Sequence, residues 1–228
     1  MRGRLFISID DTDVVGGEGT GRLARRIARI LDLDVLGITR HQLFIHPSIR
    51  YTKRNSCNVI MARSAESLDF DVFEAVKEII VDRFQEGSDP GLAMAETVPE
   101  SIVDFGLKTQ REVLTKQDAL NVAEEGNIRL EEIGGSGDGV IGALAGIGLC
   151  SSGSDGRYVM LKGLRELKGT VSAARLGEMG IDTVLLDEGG RLTEGSVAMA
   201  DRIRPSRIDG KPVLFVVEKD GAYYPVVL

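Results

Sequence analysis

Only two cysteines and two histidines occur in the 228 residues, and each scarcity excludes something. Cys57 and Cys150 form no metal-ligand or redox spacing, and a chain of this size needs no disulfide staple, so both are expected to be reduced thiols of an intracellular protein. His41 and His46 have no cysteine pair near them, which argues against a zinc site; His46 stays open as a general base or a polar contact. Basic charge is in deficit too. Lys and Arg number 28 against 35 Asp and Glu, giving a formal charge of −7 and a pI near 5.0. That balance opposes broad non-specific nucleic-acid binding, leaves room for a local basic groove, and suits a small ligand better. No apolar stretch approaches the roughly 18 residues of a membrane span, so no membrane partner is expected. The start, M-R-G-R-L-F-I-S-I-D-D, meets acid after a short apolar run, unlike a secretory signal, and a cytoplasmic location is expected. No glycine loop ends in Gly-Lys-Ser/Thr, which excludes a Walker A loop.

What is present begins at residues 3–26, G-R-L-F-I-S-I-D-D-T-D-V-V-G-G-E-G-T-G-R-L-A-R-R. Leu5 to Ile9 reads as a strand, and Thr20 to Leu31 as a helix with Leu23, Ala24, Ile27 and Leu31 on one face. Further candidate strands are Val35 to Ile45, Asn58 to Ala62, Ala93 to Thr97 and Asn127 to Ile133. Phe70 to Phe84 is an amphipathic helix with Val72, Ala75, Val76, Ile79, Ile80 and Phe84 on one side. The clearest internal break is Gln85 to Gly91. Pro99 fits the first turn of a helix, and Thr115 caps another that runs to about Glu125. After a serine- and glycine-rich stretch from Cys150 to Asp155, the pattern predicts strands at Tyr158 to Lys162, Thr183 to Leu186, Val213 to Val217 and Tyr223 to Val227. A helix is expected around Val171 to Met179, and a hairpin turn at Asp220-Gly221. With 43% hydrophobic residues, the chain can form one substantial core or two small ones. The expected fold is α/β to α+β, split into residues 1–150 and a smaller α+β unit at 151–228.

Three segments carry candidate chemistry. Asp10, Asp11 and Asp13 cluster at a strand end, where hard oxygen ligands can share one Mg²⁺ that also holds phosphate oxygens; turn formation is the simpler role of a single Asp there. Asp10 and Asp13 are the preferred ligands, with Asp11 open to point inward and hold Thr12 or a backbone amide. Gly16, Gly17, Gly19 and Gly21 then let backbone N–H groups approach an anion at a helix start. Thr20 can cap that helix, ligand Mg²⁺ or accept a phosphoryl group. The 46–56 segment, H-P-S-I-R-Y-T-K-R-N-S, is the densest donor cluster of the chain: Arg50, Lys53 and Arg54, with Thr52, Asn55 and Ser56 beside them, can grip a triphosphate, or form a solvated hairpin. Last, G-G-S-G-D-G at 134–139 offers a second anion site through Gly137 and Gly139, while Gly142, Gly146 and Gly148 can equally serve close helix packing.

In order along the chain, these segments resemble the catalytic domains of the tRNA(Ile) 2-agmatinylcytidine synthetase family. The residues that carry the likeness are Ile9-Asp10-Asp11-Thr12-Asp13, then Gly17 and Thr20, then Pro47, Ile49, Tyr51 and Arg54, then Val140 to Gly148. Gly19 stands where the family has a cysteine, and Gly21 where it has a second threonine; His46 replaces an asparagine and Arg50 a proline. The G-T-G-R-L-A-R and E-G-S-D-P-G-L-A segments look closer to short, stand-alone, uncharacterised relatives of those enzymes. The resemblance implies a kinase-like domain at 1–150, a ferredoxin-like domain at 151–228, and ATP and Mg²⁺ as cofactors. It implies phosphotransfer or ligase-type activation of a small-molecule or nucleoside acceptor, with Thr20, Lys53 and Arg54 in catalytic roles. Gly16, Gly17, Gly19, Arg50, Asn55, Gly137 and Gly139 would hold the nucleotide. The family's tRNA-gripping OB-fold and zinc ribbon lie beyond the matched segments, so tRNA is one candidate partner among others, as is a second copy of the chain. Two alternatives stand beside this expectation: a nucleotide-binding sensor without catalysis, and an RNA-binding accessory protein.

Overall fold

The computed structural model describes residues 3–52, 54–64, 71–187, 189–199 and 203–226. The expected site residue Lys53 and the helix start Phe70 therefore lie outside the described residues. The chain divides into two compact units, Met1–Ser152 and Gly153–Leu228, both mixing strands and helices.

In the first unit β1 (Arg4–Asp10), β2 (Val35–Gln42), β3 (Ser56–Arg63), β4 (Gly91–Ala95) and β5 (Arg129–Glu132) run in the order β5-β4-β1-β3-β2, every neighbouring pair antiparallel. β1 is central, and every residue from Leu5 to Asp10 is buried, as a strand covered on both faces requires. Side chains alternate between the faces. Asn58 of β3 faces Gly21 of α1 (Thr20–Ile30), whereas Cys57 and Val59 face Gly146 of the long helix Gly139–Ser152. α1 turns Leu23, Ala24, Ile27 and Ala28 inward. Beside it α2 (Val72–Asp82) starts at Asp71, whose carboxylate accepts the Phe73 and Glu74 N–H groups. α3 (Glu100–Lys108) and α4 (Lys116–Glu125) pack on the helix Gly139–Ser152, here α5. Thr115 caps α4 in a reciprocal capping box with Asp118.

α5 is apolar all round and buried from Gly142 to Cys150. Its small residues set how closely it lies on its neighbours. A Cβ at Gly148 would collide with the Ile102 carbonyl of α3, and one at Gly146 with the Ser8 hydroxyl of β1. Behind that seam, in the core, His41 meets the Thr39 hydroxyl at 2.7 Å, and Cys150 lies 3.6 Å from the same oxygen. Both cysteines are buried, and neither forms a disulfide.

The second unit comprises β6 (Arg157–Met160), β7 (Gly169–Ser172), α6 (Ala173–Glu178), β8 (Asp182–Leu185), β9 (Ser196–Met199), β10 (Ser206–Ile208), β11 (Lys211–Lys219) and β12 (Ala222–Pro225). Its strand order is β6-β10-β11-β12-β9-β7, with β8 parallel to β11. Leu164, Leu176, Ile181, Val197, Leu214 and Val216 form its core. Asp220 and Gly221, at φ of 51° and 76°, turn β11 into β12 in the left-handed backbone that tight hairpins need.

Several elements depart from the sequence pattern. β2 stops at Gln42 instead of running to Ile45, because the Leu43 N–H is taken by the Asn55 carbonyl at 2.8 Å and closes the hairpin. β4 spans Gly91–Ala95 and not Ala93 to Thr97: Gly91 pairs with Asp10 at the strand entry. The buried stripe of α2 is Phe73, Val76 and Ile80, while Phe84 lies past the helix end, 43% exposed. Pro99 takes the N-cap position and not the first turn of α3. The helix expected at Val171 to Met179 is a strand followed by a shorter helix, since the Ser172 hydroxyl accepts the Arg175 N–H and starts α6 there. β7, β9 and β10 are three or four residues long, too short to show a periodicity.

Replacing Gly148 by alanine presses a methyl group into the α3 backbone, and overpacking of this kind costs about 1–3 kcal/mol. Gly177 in α6 has open space at its Cβ position, so Gly177→Ala is expected to be neutral or slightly stabilising. Urea denaturation of both variants checks this: equal midpoints would mean that the α3–α5 seam yields.

Candidate functional site

A cleft of about 510 Å³ opens in the first unit where the end of β1, the 43–55 loop, the 109–115 loop and the start of α5 converge. Asp10, Asp11, Asp13 and Thr20 line one part of it, and Arg50, Tyr51, Thr52, Arg54, Asn55 and Ser56 another. Two of the three sequence segments thus meet through side chains, and the third contributes Ser136, Asp138 and Gly139. Gly16, Gly17, Gly19 and Gly137 are not among the lining residues. A Cβ at Gly17 would strike Gln85, and one at Gly137 would strike Glu132.

The carboxylates differ in setting. Asp10 is 9% exposed and pressed against α5, since a Cβ at Gly142 would overlap its Oδ2. Burial pushes its carboxyl up to about 7, opposed by the Asp11 N–H that it accepts and reinforced by the charges of Asp11 and Asp13. Asp11 has φ of 45°, a left-handed backbone that costs a non-glycine residue free energy and recurs at functional sites. Burial raises its carboxyl to about 6, with Asp89 adding to the shift and Arg50 opposing it. The Thr12 hydroxyl has no hydrogen-bond partner among the described residues, so Asp11 does not hold it. Asp13 accepts the Thr20 hydroxyl at 3.4 Å, which aims Thr20 at the acidic group.

The 43–55 loop is held by its own polar groups. Asn55 donates its amide to the Phe44 carbonyl at 2.7 Å, and its carbonyl accepts the Gln42 amide at 2.7 Å. Asn55 therefore shapes the loop with the group expected to face an anion. Arg50 reaches across the cleft to Asp89 at 3.4 Å and to the Gly87 carbonyl at 2.6 Å. Arg54 lines the cleft and forms no hydrogen bond or ion pair with a described residue. His46 bonds Ser48 at 2.7 Å and stacks on Phe44, and it is not among the lining residues.

Sequence reasoning passed over Asp89, Ser136, Asp138 and Lys116. Asp89 is 5% exposed and accepts the Ser136 N–H. Lys116 binds Glu132 and the Ser136 carbonyl, each at 3.0 Å, and steadies the glycine loop. Asp89 sits in E-G-S-D-P-G, a stretch whose composition reads only as a turn.

Carboxylate and hydroxyl oxygens dominate the acidic part, a donor set that suits Mg²⁺ and not a thiophilic metal. Among the described residues no three His, Cys, Asp or Glu side chains are close enough to form a preassembled metal site. Mg²⁺ commonly takes one or two carboxylates, with waters and phosphate oxygens as its other ligands. The rest of the lining mixes the apolar Leu43, Ile49, Val113, Leu114 and Ile141, with Val113 47% exposed, and the polar Ser48, Thr109, Glu112, Thr115 and Lys116. The cleft therefore offers charge-bearing oxygens, guanidinium donors and an apolar wall side by side. Among the described residues no helix is long and apolar enough to cross a membrane.

Neither a known family model nor a curated protein matches this chain. Solved structures do match. The chain is similar to TiaS in complex with its isoleucine tRNA and ATP, with a TM-score of 0.56 and 26% identity over 64% of this chain and 36% of that one. It is similar to TiaS with the same tRNA, AMPCPP and agmatine, at a TM-score of 0.54 and 26% identity over the same shares of 64% and 36%. A tRNA fluorescent labeling enzyme matches at a TM-score of 0.53 and 25% identity, again over 64% and 36%. The chain thus spans little more than a third of the length of the solved proteins it resembles.

Proposed function

We propose that the first unit binds ATP with Mg²⁺ in this cleft and uses it for phosphotransfer or ligase-type activation of an acceptor, a small molecule or a nucleoside. The observation that carries the reading is one cleft that combines the buried carboxylate of Asp10, the half-buried Asp11, the guanidinium groups of Arg50 and Arg54, and an apolar wall. An inorganic anion has no use for the wall; a nucleotide has a base to place there. The likeness to TiaS, solved with ATP and with AMPCPP, supports the same choice. In this reading residues 1–150 form a kinase-like domain and 151–228 a ferredoxin-like one.

One or two of Asp10, Asp11 and Asp13 would hold Mg²⁺, which when bound supplies charge neutralisation at the phosphate oxygens. The remaining work falls to the chain itself. Arg54 and Lys53 offset charge that develops on the phosphates, and Gly139 presents the N-terminal amides of α5 to the same anion. Thr20, oriented by Asp13, either completes the cation's oxygen set or takes phosphate transiently on its hydroxyl. A nucleoside within an RNA belongs to the acceptor class, in line with the tRNA complexes of the similar structures.

A second reading is favoured by Gly19 and Gly21, which stand where the resembled synthetases have a cysteine and a threonine. Without those nucleophiles the unit would bind ATP as a sensor. Calorimetry with Mg²⁺ and ATP on wild type and Asp10→Ala, followed by nucleotide product analysis, separates the readings. Binding in wild type and its loss in Asp10→Ala are expected, with ADP or AMP formed by an enzyme and neither by a sensor. No ATP binding by folded wild type would overturn both.

The raised carboxyls add a pH signature. Asp10 and Asp11, shifted from 3.8 to about 7 and about 6, keep protons in the folded chain that the unfolded chain has already released. Stability without a divalent cation therefore falls as pH rises from about 4 to 7. Cation binding needs the ionised forms, so Mg²⁺ is expected to raise the melting temperature more at pH 8 than at pH 5. Equal Mg²⁺ shifts at both values in a thermal melt would separate cation binding from these carboxylates.

A further inference from the structure

Asp89 joins all three segments of the cleft. Its carboxylate accepts the Ser136 N–H of the second glycine loop and pairs with Arg50 of the 43–55 loop at 3.4 Å. Its own N–H donates to the Asp11 carbonyl at 3.1 Å. The neighbours are shaped around it: a Cβ at Gly135 would overlap Asp89 Oδ1, and one at Gly139 the Asp89 carbonyl. Burying a carboxylate beside other carboxylates is unfavourable, and a turn after a helix does not require one. What Asp89 engages is a backbone N–H near a helix start and a guanidinium, two donors that phosphate also favours.

We propose that Asp89 is a positioning residue for nucleotide phosphates and acts through Arg50. It fixes the guanidinium, whose other end is tied to the Gly87 carbonyl at 2.6 Å, on the side of the cleft that faces the glycine loop. The side chain of Arg50 is 72% exposed, so without Asp89 it would spread over many rotamers and lose alignment on an incoming phosphate. The proposal rests on the ATP reading above. It also predicts a sign opposite to plain electrostatics. Removing a negative charge from an acidic cleft should tighten anion binding through the field alone, whereas loss of a positioning group should weaken it.

The test is a double-mutant cycle on Asp89→Asn and Arg50→Gln, read by calorimetry with Mg²⁺–ATP and with Mg²⁺–tripolyphosphate. Asparagine keeps the size of Asp89 and an oxygen for the Ser136 N–H. Each single variant is expected to bind both probes about tenfold more weakly, and the double variant no more weakly than either single. Tighter binding by Asp89→Asn, or losses that simply add, would overturn the positioning role and leave ATP binding intact. Failure of folded wild type to bind either probe would overturn the functional reading and this proposal with it. If Asp89→Asn does not fold, Arg50→Lys takes its place: lysine keeps the charge but cannot keep the forked contact with Asp89 and Gly87, so a wild-type affinity for both probes would overturn the proposal.

Discussion

Close backbone approach is the constraint on which the first unit depends. Gly91 and Gly139 pass each other with no room for a Cβ, Gly142 leaves space for the Asp10 carboxylate, and Gly148 lies on the α3 carbonyls. Because α5 sits so near the sheet, the end of β1 and the start of α5 share one floor, and Asp10 and Asp89 are enclosed instead of solvated. Larger residues at these positions would lift the helix and open the cleft from beneath. Packing and chemistry are thus set by the same glycines, as expected where a core must fit without voids and a site must exclude water.

The electrostatic arrangement follows from that enclosure. Carboxylates withdrawn from water hold protons longer, and the nearby charges of Asp11, Asp13 and Asp89 press in the same direction. The positive charge of Arg50 counters part of this at Asp11. Asp11 adds backbone strain to the account, a feature that persists where surrounding structure fixes it. Perturbed carboxyls in a cleft mark functional sites more often than stability devices, and the core of this unit is amply built from Ile7, Ile9, Val59 and Ile60 without them.

Much of the first unit was legible in the residues. The opening strand, the glycine turn and α1 followed from hydrophobic periodicity, and Thr115 marked its helix correctly because capping chemistry is local. The acidic cluster and the basic loop were recognisable as segments, and the structure places Asp10, Asp13, Arg50 and Arg54 around one cleft. Other roles were not legible. Gly17 and Gly137 leave room for the side chains of Gln85 and Glu132, a constraint set by residues distant in sequence. Asp89 escaped notice because its burial is created by segments up to 78 positions away, its contact with Asp11 being one of them. The short strands of the second unit are fixed by partners across the sheet, and three or four residues carry too little pattern to announce themselves.

The composition of α5 has a consequence for how the chain acquires its fold. Four of its 14 residues are glycine, so the segment has weak helical tendency when isolated and needs the sheet against it to persist. The sheet in turn finishes its core only with α5, which contacts β1, β3 and β4. During synthesis, the first 138 residues would leave the ribosome with an uncovered apolar face, and closure would wait for Ser152. Such late, long-range closure makes folding slow relative to helical bundles of the same size, and makes the nascent first unit the stage at which the chain is most prone to aggregate.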